Sequence, residues 1–203
     1  MIIKNRDELL SHGNVAGRRV VLDILEAGMV AADPYENTRN LIRIEGGKLI
    51  VGNDRIPRTD TPGIASLGLP GGAASQEPLV FDLAKVNNIY VVGGGKAAQR
   101  MARAMEDVLG DRITEGHINA KKGDEVYLER IEVTLAGHPL PDEDSVTGAR
   151  RILEIERKAR EGDIVFVSTS GGGSALMALP APGITLEDLQ EVYRILYFQC
   201  GAP

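Results

Sequence analysis

Asn88-Ile89-Tyr90-Val91-Val92-Gly93-Gly94-Gly95-Lys96-Ala97-Ala98 reads as a short buried strand, a glycine turn and a helix whose first turn carries a lysine. Glycines without a Cβ let the backbone come close to a bound group. The helix start turns free N–H groups and a partial positive charge towards that group. Lys96 adds a full positive charge at the same place. The natural guest is an anion, above all a phosphate.

The pattern returns further on. Asp163-Ile164-Val165-Phe166-Val167-Ser168 predicts a solidly buried strand that runs into Thr169-Ser170-Gly171-Gly172-Gly173-Ser174. Between the two lie a helix from about Lys96 to Leu109, with Ala97, Met101, Ala104, Met105 and Val108 inward, and Gly110 at its end. Strands over Thr114–Asn119 and Arg130–Ala136 follow, then a helix capped by Ser145 and closed by Gly162. Thr185-Leu186-Glu187-Asp188 is a capping box for a last helix that reaches Gln199. Strands alternating with helices imply an α/β, Rossmann-like fold, a mostly parallel sheet with helices on both faces. In such sheets the ligand crevice lies at the carboxyl ends of the strands. Two glycine-rich loops on that edge favour a site over plain scaffolding.

The N-terminal part adds a β-hairpin, Asn40–Glu45 and Lys48–Val51 around Gly46-Gly47, after an amphipathic helix over Val15–Ala32. Val21, Ile24, Leu25 and Gly28 are expected on the inward face of that helix, and Asp33-Pro34 at its end. Four prolines and four glycines over residues 53–78 predict a long loop.

A net charge of −6 excludes a general nucleic-acid binder, so any basic site is local. No apolar run reaches the roughly 18 residues of a membrane span, and the single Cys200 fits a cytoplasmic chain.

The residue types at the two loops narrow the chemistry. The first loop is not a P-loop, which is longer and places a hydroxyl after the lysine. Gly93, Gly95 and Ala98 satisfy the dinucleotide spacing. About 20 residues on, however, where an acid should hold a ribose, the chain has His117-Ile118-Asn119-Ala120-Lys121-Lys122. Lys121 and Lys122 suit either an NADP 2′-phosphate or a solvated basic turn. Ser170 to Ser174 can grip a phosphate or a small hydroxy acid, with Ser174 as an ordinary helix cap the plainer alternative. A serine nucleophile lacks the G-x-S-x-G elbow. In Gly137-His138-Pro139-Leu140-Pro141-Asp142, two prolines set a rigid loop that can aim His138 and Asp142 into the crevice. Asp142 suits Mg²⁺ or, with better odds, the dipole of the coming helix. Tyr193 and Tyr197, at helical spacing, are core or interface residues, and a homodimer is among the expected assemblies.

Taken together, these stretches resemble glycerate 2-kinases of the MOFRL-containing family, the glycerate kinase type 2 group. The matching words are Val91–Ala98, Leu109–Thr114, Ala136–Asp142, Ser170–Leu176 and Leu179–Asp188, in the family's order and spacing over about residues 80–203. The resemblance implies ATP-dependent phosphorylation of D-glycerate at its 2-hydroxyl, with Mg²⁺. It gives Lys96 the catalytic role and lets the loop of Ser170, Gly171, Gly172, Gly173 and Ser174 help hold substrate or phosphate; the residue pattern itself adds Gly93, Gly94, Gly95, His138 and Asp142 as expected substrate or phosphate contacts. It leaves the metal ligands unnamed. In the family the chain continues past the Gly201-Ala202-Pro203 equivalent into a second, C-terminal MOFRL domain. Residues 1–203 are therefore expected to be the N-terminal domain, inactive alone. An NADP-dependent hydroxypyruvate reductase is the runner-up, and a non-catalytic nucleotide or sugar-acid sensor is the third reading.

Overall fold

The computed structural model describes residues 2–52 and 78–201. Apart from Pro78, the long loop expected over residues 53–78 falls outside the described residues. The chain opens with α1 (Arg6–Leu9), α2 (Val15–Ala31) and α3 (Pro34–Leu41). The hairpin follows as β1 (Ile42–Glu45) and β2 (Lys48–Val51), and β3 (Leu79–Asp82) pairs antiparallel with β2. The larger unit is β4 (Ile89–Gly94), α4 (Ala98–Leu109), β5 (Ile113–Lys121), β6 (Glu132–Ala136), α5 (Glu143–Glu156), β7 (Ile164–Thr169), α6 (Gly173–Leu176) and α7 (Leu186–Arg194). A π-helical turn over Ile195–Gln199 prolongs α7.

β4 to β7 form a parallel sheet in the order β6-β5-β4-β7. The chain first steps outward from β4 to β5 and β6, then returns to the other side of β4 as β7. That reversal makes the gap between β4 and β7 a topological switch point, where open α/β sheets hold ligands. Alternate residues of β4 face opposite layers. Ile89 and Val91 join Ala98, Ala102, Met105 and Leu109 of α4 in the main core, with Ile42 and Leu49 of the hairpin. Tyr90 and Val92 meet Ile155 of α5 on the other face. The expected two-faced Rossmann-like architecture and the hairpin are therefore both present.

Local chemistry explains most boundaries. Asn14 caps α2 by accepting from the Gly17 amide at 3.0 Å. Gly110, with φ +53, ends α4. Several features differ from expectation. Asp33-Pro34 not only stops α2 but starts α3: Asp33 accepts from the amides of Tyr35 and Glu36, and Pro34 sits where its missing N–H costs nothing. The cap of α5 is Asp142, with Ser145 at the third helical position answering back in a capping box. β7 is an edge strand, so Val165 and Val167 are exposed where a wholly buried strand was expected. The apolar face of α2 is likewise exposed: Val21, Ile24 and Leu25 are each more than half accessible, and Leu22 alone in that helix is buried. On α4 the inward face is Ala98, Ala102, Met105 and Leu109, with Ala104 also buried, while Ala97, Met101 and Val108 lie at its margin. No helix among the described residues is long and apolar enough to cross a membrane.

The link into β6 hangs on one carboxylate. Glu106 of α4, 4% exposed, accepts from the amides of Glu129 (3.2 Å), Arg130 (2.7 Å) and Ile131 (2.9 Å). Glu106→Ala is expected to strand three amides and lower unfolding free energy by about 2–4 kcal/mol, read as a lower urea midpoint with an unchanged slope. Glu156→Ala, on the exposed end of α5, is expected to stay within about 0.5 kcal/mol.

Candidate active site

The two glycine-rich loops leave neighbouring strands, and they are sewn together. β4 and β7 run side by side to their carboxyl ends, with Gly93 opposite Ser168 and Gly94 opposite Thr169. Beyond them the Lys96 amide donates to the Gly171 carbonyl at 3.0 Å. The Ala97 amide donates to Ser170 Oγ at 2.9 Å, and the Ser170 amide donates back to the Gly94 carbonyl at 3.3 Å. On the other flank the Gly95 amide donates to the Asn119 carbonyl of β5 at 3.1 Å.

These bonds correct one expectation. The amides of Gly95, Lys96 and Ala97 do not wait for a phosphate, because the second loop and β5 already use them. The glycines serve an approach of backbone to backbone. A Cβ on Gly93 would lie 2.0 Å from the Ser168 carbonyl oxygen, and one on Gly95 would lie 2.2 Å from Ser170 Oγ. Both residues have φ near +140° to +150°, which side chains rarely adopt. Gly94 makes room for Met177, whose Cγ would be 2.6 Å from an added Cβ.

Lys96 remains outside this lacing. Its side chain is exposed and holds no ion pair among the described residues. It lies along the second loop: a Cβ on Gly172 would be 3.3 Å from Lys96 Cγ, and one on Gly171 would be 3.8 Å from Lys96 Cε. The same Gly172 position would be 2.9 Å from both Cδ2 and Nε2 of His138. Lys96, His138 and the Gly171–Gly173 turn therefore converge on one spot at the mouth of the sheet. Ser174 is exposed in the first turn of α6, whose cap is Gly172, so the serine is not the helix cap. The His138 imidazole titrates below its ordinary range, through partial burial first and then the ammonium groups of Lys96 and Lys121.

Asp142 belongs to the scaffold. Its Oδ1 accepts from the Ser145 amide at 3.0 Å, and its Oδ2 pairs with Lys122 Nζ at 2.7 Å. Lys122 also reaches Asp144 at 2.6 Å, and these bonds hold its pKa well above the usual lysine value. The Asp142 carboxyl sits below the ordinary carboxylate range. Burial is the largest influence and acts upward, but Lys122 and the amides of Gly137 and Ser145 together outweigh it. Lys122 is thus committed and does not form a 2′-phosphate pair with Lys121. Among the described residues no cluster of three or more His, Cys, Asp or Glu side chains could hold a metal ion.

Asn119 is the residue the sequence reading passed over. Fully buried at the end of β5, it donates from Nδ2 to the Leu176 carbonyl at 2.7 Å and the Ser145 carbonyl at 3.3 Å. Gly148 of α5 leaves space for it, since a Cβ there would fall 2.0 Å from Asn119 Oδ1. An uncharged amide between Ile118 and Ala120 in the buried part of the strand was the available signal. It occupies the region where a dinucleotide site needs an acid.

Comparison with known proteins finds relatives of this chain. A family model described as "Domain of unknown function (DUF4147)" matches residues 20–203. A glycerate 2-kinase of Pyrococcus horikoshii is 38% identical over 173 residues, which make up 85% of this chain and 33% of that protein. A D-glycerate 2-kinase of Thermotoga maritima is 42% identical over 112 residues, covering 55% of this chain and 27% of its own. The crystal structure of a protein from Pyrococcus horikoshii OT3 superposes with a TM-score of 0.68 at 38% identity, covering 92% of this chain and 36% of that one. The chain spans about a third of the length of the curated relatives it matches.

Two measurements check the lacing. Gly95→Ala is expected to destabilise by about 3 kcal/mol or more, since strain at positive φ adds to a clash with Ser170. Gly183→Ala, at φ +90 with nothing within 4 Å of an added Cβ, is expected to cost about 1–2 kcal/mol. Equal losses in urea unfolding would show that the loops are not locked. Separately, the Asp142 anchor is expected to be fully present above the unfolded carboxyl pKa of about 4 and to be lost as pH falls through its lower folded value. Asp142→Asn should therefore flatten the acid limb of stability against pH.

Proposed function

This chain belongs to the DUF4147 family, and from that premise we propose that it carries the phosphate-handling part of a glycerate 2-kinase. The reaction is transfer of the γ-phosphoryl group of ATP to the 2-hydroxyl of D-glycerate, giving 2-phosphoglycerate. Residues 1–203 are read as the N-terminal domain of that enzyme. One observation carries the reading: two interlocked glycine loops at the switch point hold the Lys96 ammonium, which makes no ion pair among the described residues, along the turn of the second loop.

Phosphoryl transfer passes through a loose transition state with charge spread over the transferring oxygens, so the protein's task is to position and to compensate charge. Lys96 does both when its stem lies against the Gly171–Gly173 turn, because the backbone beneath it cannot shift without unlacing the loops. The compact, multiply hydrogen-bonding ammonium suits a point contact with a phosphoryl oxygen. The expected Mg²⁺ rides with the triphosphate, as this ion commonly binds through substrate phosphates and water, and no step here depends on a protein ligand for it. An NADP-dependent reductase finds less support, since Lys122 is spent on Asp142 and Asp144 and β5 ends without an acid.

In the intact protein, Lys96→Ala is expected to lower kcat/KM for ATP-dependent glycerate phosphorylation by about 100- to 1,000-fold. The unfolding midpoint should not move, because Lys96 makes no ion pair among the described residues. Lys96→Arg should recover only part of the rate. Activity of Lys96→Ala within about threefold of the parent would remove the reading, whereas tight NADPH binding without ATP binding would favour the reductase.

A further inference from the structure

Bonding divides the histidines and the nearby acid into committed and uncommitted groups. His117, buried in β5, has both ring nitrogens engaged, with Thr134 Oγ1 at 3.0 Å and Glu132 Oε2 at 3.4 Å. His12 lies in an exposed stretch beside Ser11. Asp142 is held by Lys122 and by the start of α5. His138 differs: it is half-buried, and neither nitrogen has a hydrogen-bond partner among the described residues. Its ring lies against Gly172, the glycine that also touches the Lys96 stem.

We infer that His138 is the proton acceptor of the transfer, an assignment that rests on the kinase reading above. The attacking hydroxyl loses its O–H bond as its oxygen bonds to the γ-phosphorus of a nucleoside triphosphate. The bond from that phosphorus to the β-bridging oxygen breaks, and its electron pair leaves with the diphosphate. The hydroxyl proton goes to a ring nitrogen of His138. Such a base must reach a hydroxyl held at the γ-phosphate, and its contact with the same glycine as Lys96 places it there.

The charges around the ring suit this role. Partial burial first, and then Lys96 in the β4–α4 turn and Lys121 at the end of β5, disfavour imidazolium, which favours a neutral ring able to accept a proton. The nearest acid on its own loop, Asp142, is screened by its pairing with Lys122, while Asp144 takes the other side of that ammonium. A bound carboxylate and triphosphate offset the two lysine charges, so the ring becomes more basic when substrates arrive. After transfer, the half-exposed ring passes its proton to solvent.

The test uses the intact protein with ATP and D-glycerate. His138→Gln is expected to lower kcat by about 100-fold or more, with KM for both substrates within about threefold. The acid limb of the parent's kcat/KM profile should disappear in this variant. In the parent, that limb is expected below the ordinary imidazole range, and the corresponding limb of kcat at higher pH. Lys121→Met provides a second readout, since loss of one neighbouring charge should move the acid limb of kcat/KM upward. Retention of kcat within about threefold in His138→Gln, or an unmoved limb in Lys121→Met, would overturn the assignment while leaving the kinase reading in place. Absence of ATP-dependent glycerate turnover in the parent would overturn both.

Discussion

The contact on which the structure turns is a backbone-to-backbone seam between the loop after β4 and the loop after β7. Parallel strands end with unpaired backbone groups, and these must find partners or water. Here they find each other: the Lys96 amide meets the Gly171 carbonyl, the Ala97 amide meets Ser170 Oγ, and the Ser170 amide meets the Gly94 carbonyl. The chains can approach this closely only because Gly93 and Gly95 carry no Cβ. Everything on the mouth of the sheet inherits its rigidity from that seam. Asn119 extends it to β5, α5 and α6 through its carbonyl and its side-chain amide.

The seam also sets the electrostatics of the mouth. With the helix-start amides used up internally, the positive character of the site comes from side chains, Lys96 first and Lys121 beyond it. The acids nearby are neutralised in place: Asp142 and Asp144 both hold Lys122, and elsewhere Glu115 holds Lys158 and Arg151. The negative net charge of the chain thus coexists with a local cationic spot, because the acids around that spot are paired.

Much of the fold was legible because its signals are local. A run of apolar residues into glycine at Ile89–Gly95, the glycine stop at Gly110, the hairpin around Gly46-Gly47 and the capping box at Thr185 each depend on a few adjacent residues. The errors share a cause. Asp33-Pro34 does stop α2, but the same pair also starts α3, a second meaning that an Asp before a Pro carries. Val165 and Val167 look like core in a one-dimensional run, yet β7 lies at the sheet edge. The face of α2 has the right periodicity, but periodicity does not supply a partner surface.

Residue types and their order, by themselves, determined that the chain makes a parallel α/β sheet and that two glycine loops, with Lys96 between them, follow two of its strands. Backbone propensity and steric permission act over a few residues, so they survive in the sequence. Only the folded chain decided what each polar group does there: that the glycines serve the seam, that Asp142 and Lys122 satisfy each other, that Asn119 ties the strand ends, and that His138, beside Lys96, has no hydrogen-bond partner among the described residues. Those outcomes depend on which groups distant in sequence compete for the same hydrogen bond or charge, and that competition exists only once the strands lie side by side.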